Sequence, residues 1–135
     1  MNGQMNGQMN GHTILVVEDN PKNLKLIKAV LEFSGFEVIE AASGEEGVRL
    51  AAEASPDLIL MDLQLPGIDG AEALRQIRST TVGPGVPVVA VTAFAMADDR
   101  ERAFASGFDG YVEKPISARA LPQQVRDFIE LGGRT

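Results

Sequence analysis

One stretch constrains this chain more than any other: residues 57–70, which read DLILMDLQLPGIDG. Leu58-Ile59-Leu60-Met61 is a short apolar run bounded by turn residues, the pattern of a strand buried on both faces of a parallel sheet. A carboxylate inside such a strand would be too costly to desolvate. Asp62, at the run's last position, can instead project from the sheet's edge into a cleft. Leu65-Pro66-Gly67 and Gly70 then turn the chain at once.

The same arrangement recurs along the chain. Ile14-Leu15-Val16-Val17 ends in Glu18-Asp19, and Val86–Thr92 (VPVVAVT) ends in a hydroxyl. Gly110–Glu113 is a short strand that ends in Lys114-Pro115, and residues 36–40 (FEVIE) alternate as a second strand. Helical signals lie between these runs. Asn20-Pro21 is an N-cap followed by proline at the first helical position, with Leu24, Ile27, Val30 and Leu31 on one stripe and Gly35 as the stop. Ser43 and Glu46 form a capping box, and Pro56 ends that helix near Ala54. Ala73, Leu74 and Ile77 mark a third helix from Gly70 to about Arg78, and Thr81–Gly85 reads as a loop. A fourth helix runs from Asp98 to Ser106, stopped by Gly107. Val125, Phe128, Ile129 and Leu131 mark the last. Pro122 would cost a helix interior about 3 kcal/mol, so a turn is expected over Ser117–Leu121 and the helix from Pro122. Phe33, Phe36, Phe104, Phe108 and Phe128 are assigned to packing.

Five strands alternating with five helices imply right-handed βαβ crossovers and a doubly wound α/β sheet, parallel throughout. The most buried runs are the first, third and fourth strands, and order 2-1-3-4-5 places them centrally. In such sheets the functional crevice lies beyond the strands' carboxyl ends. Glu18, Asp19, Asp62, Thr92 and Lys114 would all meet there.

Other site chemistries are excluded by what the chain lacks. It has no cysteine and one histidine, His12, in 135 residues, so a thiolate metal site has no ligands, and neither a histidine-ligated zinc site nor a Ser-His-Asp triad is expected. A formal charge of −7 argues against nucleic acid or an anionic membrane as partner. No apolar run is long enough to span a bilayer, and no secretory signal is visible, so a cytoplasmic location is expected. Residues 1–11 (MNGQMNGQMNG) repeat a polar unit and are expected to be disordered, residues 12–131 to form one domain, and 132–135 a short tail.

Three clustered carboxylates repel one another unless neutralised, and all-oxygen donors suit Mg²⁺ (or Mn²⁺). A carboxylate can also act as a nucleophile toward phosphorus, a reaction that needs mainly positioning and charge neutralisation. The residues then assign themselves: Asp62 as nucleophile; Glu18, Asp19, Asp62 and the backbone carbonyl of Gln64 around a cation; Thr92 and Lys114 on the phosphoryl group. Glu45-Glu46 and Asp98-Asp99 read as charges favouring helix N-termini, not as ligands.

VVEDN, MDLQLPGIDG, VTA and YVEKP, each at a strand end and in this order, resemble the receiver domain of two-component response regulators. The likeness runs from about Thr13 to Leu131, and several stretches look like the DivK-type single-domain regulators. It implies the flavodoxin-like (CheY-like) fold and phosphorylation of Asp62 from a phosphohistidine on a histidine kinase or phosphotransfer protein. It further implies a switch in which Thr92 and Tyr111 move, altering protein contacts on the face of the fourth helix, fifth strand and fifth helix. Adaptor proteins, or a weak dimer through that face, are further candidate partners. Gln64 and Phe94 lie where the family tunes acyl-phosphate lifetime, and Lys114–Pro115 is often cis. Only one helix follows Lys114, so no DNA-binding or enzymatic output domain is expected.

Three rivals share the fold. A flavin carrier would have its phosphate repelled by Glu18-Asp19, and a dehalogenase-type phosphohydrolase needs an acid where Gln64 stands. A pseudo-receiver, binding partners without phosphorylation, is the remaining alternative.

Overall fold

Strands and helices alternate strictly in the computed structural model, which describes residues 11–80, 85–93 and 97–133, the side chains of 97–99 and 131–133 excepted. The strands are β1 (Thr13–Val17), β2 (Glu37–Ala41), β3 (Leu58–Asp62), β4 (Val88–Thr92) and β5 (Gly110–Glu113). The helices are α1 (Pro21–Phe33), α2 (Gly44–Ala54), α3 (Gly70–Arg78), α4 (Ala97–Ala105) and α5 (Leu121–Gly133). All strand pairs are parallel, in the order β2-β1-β3-β4-β5.

The continuous apolar runs follow from this layering. Successive strand residues point to opposite faces, so a sheet covered on both sides needs apolar residues at every position. Leu15, Val17, Ile59, Met61, Val88 and Ala90 pack toward Ala51, Leu74, Ile77 and Ala103 of α2, α3 and α4. Ile14, Val16, Leu58, Leu60, Val89 and Val91 pack toward Ile27 and Leu31 of α1 and Leu121 and Val125 of α5.

Register fixes what meets at the carboxyl edge. Val17 lies opposite Met61, so Glu18 and Asp62 emerge side by side. Asp62 lies opposite Val91 and Thr92 opposite Glu113, and the Lys114 N–H donates to the Thr92 carbonyl at 2.8 Å.

The helix ends follow local rules with three revisions. Asn20 Oδ1 accepts from the N–H groups of Lys22 (2.9 Å) and Asn23 (3.2 Å), and Gly35 closes α1 at φ +98°. Ser43 Oγ accepts from Glu46 N–H at 3.1 Å, but Glu46 reaches past Ser43 to accept from Ala42 N–H at 2.8 Å. Ser55, disfavoured from the α region by Pro56, ends α2 in the left-handed region at φ 49°. The turn before α5 forms as expected, with Ala120 N–H donating to Ser117 Oγ. The helix starts at Leu121, so Pro122 falls in the first turn, where a missing N–H costs nothing. The Lys114–Pro115 peptide is cis.

Other boundaries shift. β2 starts at Glu37, because Phe36 N–H closes α1 on the Leu31 carbonyl. β4 starts at Val88, since Pro87 has no N–H and the Val86 carbonyl is taken by Arg78. α5 extends through Gly133, into what the sequence suggested was a tail. Phe33 and Phe104 are corrections to the packing assignment: they are 93% and 50% exposed. Phe33 lies two residues past Leu31, near the opposite side of α1 from the buried stripe. The expected disorder of 1–11, the loop over 81–84 and Phe94 lie outside the described residues, apart from Gly11.

Candidate functional site

Four of the five charged or hydroxyl strand-end residues converge by direct contact or close approach. Glu18, Asp62 and Thr92 are nearly fully buried, and they are the buried polar or charged residues among those described. Glu18, Asp19 and Asp62 each offer a carboxylate oxygen within 4.8 Å of the others. The Lys114 ammonium lies 3.1 Å from Asp62 Oδ2 and 3.1 Å from Glu18 Oε1. Three carboxylates against one ammonium leave an excess of negative charge, with Glu18 and Asp62 buried and Asp19 exposed at the rim.

The loop after β3 begins by folding back on its acid: the Gln64 N–H donates to Asp62 Oδ1 at 2.9 Å. Asn20 N–H, just before α1, donates to Glu18 Oε2 at 3.1 Å. Glu18 Oε1 is ion-paired with Lys114 but has no aligned hydrogen-bond donor among the described residues. Burial pushes the Glu18 carboxyl above the ordinary carboxylate range. Asn20 N–H opposes this, the Asp62 charge adds to it, and Lys114 counters less strongly. Burial also works against the Lys114 ammonium, but Asp62 and Glu18 together outweigh it and raise its pKa.

These residues fit a hard divalent cation. The donors are all oxygen, the site carries surplus negative charge, and a buried Glu18 oxygen lacks an aligned donor. Removing the Glu18 charge should therefore relieve the fold while spoiling the cation site. A carboxyl with a raised native pKa contributes stability that is full below its unfolded pKa and is lost as pH rises through the native value. With a chelator present, Glu18→Gln is expected to melt higher than wild type at about pH 8, the gap closing toward about pH 4. Mg²⁺ should raise the wild-type midpoint and leave that of Glu18→Gln nearly unmoved. Equal midpoints at every pH would contradict this account.

Thr92 ends β4 and borders a cavity of about 320 Å³ with Gln64, Arg102, Ser106 and Phe108. Tyr111 packs against the core cluster that contains Met61 and Ala90. It is half-buried on β5, with the Arg100 guanidinium of α4 5.9 Å from its ring centroid, inside cation–π range. The sequence reading missed Arg102 and Ser106 because α4's register against β4 is not encoded in any local motif. It also missed the contact of Glu45 with the β3–α3 loop, for which Gly67 was the available signal.

The profile of the response regulator receiver domain matches residues 14–126. The polar-differentiation response regulator DivK of Brucella ovis is 41% identical over 117 residues, covering 87% of this chain and 95% of that protein. Among solved structures, the receiver domain of a sensor histidine kinase from Pseudomonas aeruginosa, with magnesium coordinated in its active site cleft, superposes with a TM-score of 0.83. It shares 40% identity over 89% of this chain and 98% of its own. A CheY-like receiver domain protein from Methanospirillum hungatei gives a TM-score of 0.82 at 29% identity, over 91% and 97%.

Proposed function

Because this chain belongs to the response regulator receiver domains, we propose that it is a phosphorylation-controlled signalling module whose phosphoryl acceptor is Asp62. The donor is a phosphohistidine on a histidine kinase or phosphotransfer protein. An oxygen of the Asp62 carboxylate attacks phosphorus, the P–N bond to the imidazole breaks, and its electron pair and a proton from solvent remain on the departing histidine. The observation that carries this reading is the buried Asp62 carboxylate, at the end of central β3, held 3.1 Å from Lys114 and grouped with two further acids.

Glu18, Asp19, Asp62 and the Gln64 carbonyl would hold Mg²⁺ (or Mn²⁺), and the magnesium in the Pseudomonas aeruginosa neighbour supports that assignment. A bound divalent ion supplies charge neutralisation for the phosphoryl oxygens. Lys114 holds one Asp62 oxygen and turns to the phosphoryl group as its negative charge arrives. Thr92, buried at the neighbouring strand end, offers its hydroxyl to the same group. The Gln64 N–H orients the acid. Coupling then runs from Thr92 and Tyr111 to the α4-β5-α5 face, a small charge-driven shift that biases a two-state surface. Output is contact with a kinase, phosphotransferase or adaptor, without a separate catalytic activity. A weak dimer through the same face is compatible. No helix among the described residues is long and apolar enough to cross a membrane. A cytoplasmic location belongs to this reading, since its phosphohistidine donor would act there.

Titration with beryllofluoride and Mg²⁺, read by amide NMR, separates this reading from a phosphorylation-independent binding module. Shifts are expected around Asp62 and at Tyr111 on β5. A spectrum unchanged at both places would overturn the proposal. Phe94, outside the described residues, is assigned to shielding the acyl phosphate from water. Phe94→Ala is expected to shorten the half-life of the phosphorylated protein several-fold, roughly the effect of opening a site to solvent. An unchanged half-life would remove that role.

A further inference from the structure

The two ends of the β3–α3 loop are held by contacts close to the loop itself. Gln64 N–H bonds to Asp62, Gly70 N–H donates to the Leu63 carbonyl at 3.4 Å, and Asp69 caps α3 through Glu72 N–H at 2.9 Å. The apex of the loop is held from outside, by the first two residues of α2. Glu45 Oε2 accepts from Ile68 N–H at 3.3 Å. Gly67, at φ +74°, leaves empty the space where that carboxylate lies: a Cβ there would stand 2.7 Å from Glu45 Oε2 and 3.0 Å from Oε1. Gly44 packs under the same turn, where a Cβ would lie 2.7 Å from Ile68 Cγ1 and 2.9 Å from the Ile68 carbonyl. Two glycines on two different elements are thus needed for this one approach.

We propose that Glu45 is a positioning residue for the phosphoryl-acceptor site, acting through its hydrogen bond to the β3–α3 loop, which carries Gln64. Glu45 makes no contact with Asp62. Its effect is to fix the loop apex four residues beyond Gln64, and so the carbonyl and N–H with which Gln64 serves the cation and the acid. The Gly67 conformation and the Glu45 carboxylate are two halves of one device. An ordinary residue at 67 would be strained and would displace the carboxylate. This inference rests on the function proposed above and adds a residue that lies outside the acid cluster.

The test measures the Mg²⁺ dissociation constant by calorimetry, with hydrogen exchange at the Ile68 amide alongside, in wild type, Glu45→Ala and Glu45→Gln. Glutamine keeps an acceptor oxygen and loses the charge. Glu45→Ala is expected to weaken Mg²⁺ binding about tenfold, the low end for a residue supporting a metal site, and to speed Ile68 exchange. Glu45→Gln should restore affinity to within about twofold of wild type, which loss of a helix N-terminal charge alone would not do. Glu53→Ala, which breaks an ion pair with Arg49 on the same helix, should leave Mg²⁺ affinity unchanged. Wild-type affinity in Glu45→Ala, or equal losses in both Glu45 variants, would overturn the positioning role and leave the proposed function standing. Absence of Mg²⁺ binding to the wild type would overturn both.

Discussion

Asp62→Asn should take up no phosphoryl group from a small phosphodonor in the presence of Mg²⁺, a loss of at least about 100-fold against wild type. Asparagine has nearly the shape of aspartate, so its amide oxygen can still accept from Gln64 N–H or face Lys114, and the β3–α3 turn should persist. What it lacks is the anionic oxygen that attacks phosphorus and one of the charges that hold the cation. The fold itself should not suffer. One negative charge is taken from a crowded group of three acids, so the midpoint in chelator should equal or exceed that of wild type. An intact, equally stable and unreactive variant is the expected result. Equal labelling of the variant and wild type would place the acceptor elsewhere.

Gly70→Ala should lower stability by about 1–3 kcal/mol and reduce Mg²⁺ affinity with it. The added Cβ would stand 2.7 Å from the Asp62 carbonyl oxygen and 3.0 Å from Leu63 Cα. Both are backbone atoms and neither can rotate away, so α3 must retreat from the end of β3. That strain falls on the peptide bearing the acceptor, which is why the fold and the site should weaken together. In thermal melts the loss corresponds to roughly 3–10 °C for a domain of this size. Gly85→Ala is the matching control, since among the described residues nothing lies within 4 Å of its Cβ position, and should change stability by less than about 0.5 kcal/mol. A normal melting midpoint for Gly70→Ala would mean that the close approach is not a real constraint.

Most of the fold was legible because its signals are local or nearly so. Asn20-Pro21, Gly35 and Gly107 mark helix ends by their own backbone preferences. Three uninterrupted apolar runs admit only a sheet covered on both faces, and strand order followed from which runs were most apolar. The acid cluster was legible for a related reason: register in a parallel sheet aligns strand ends, so residues far apart in sequence but equivalent in position must meet. Lys114 lies 52 residues from Asp62 and contacts it directly. What escaped depends on packing between helices. Phe33 and Phe104 look like core residues by type, but they fall off the buried stripes of their helices, Phe33 two residues past Leu31 and Phe104 next to Ala103. Glu45 looked like a helix-end charge because that role needs no partner. Its hydrogen bond to Ile68, 23 residues on, exists only because α2 and the β3–α3 loop are brought together by the fold.

The most direct test of the account locates the phosphoryl group itself. The wild-type protein, phosphorylated with a small phosphodonor and Mg²⁺, is reduced with borohydride, which converts an acyl phosphate to the corresponding alcohol, and its peptides are then mapped by mass spectrometry. One converted residue is expected, homoserine in place of Asp62, absent when the donor or the metal is left out. Conversion at another carboxylate, or a peptide containing unmodified Asp62 after full labelling, would contradict it.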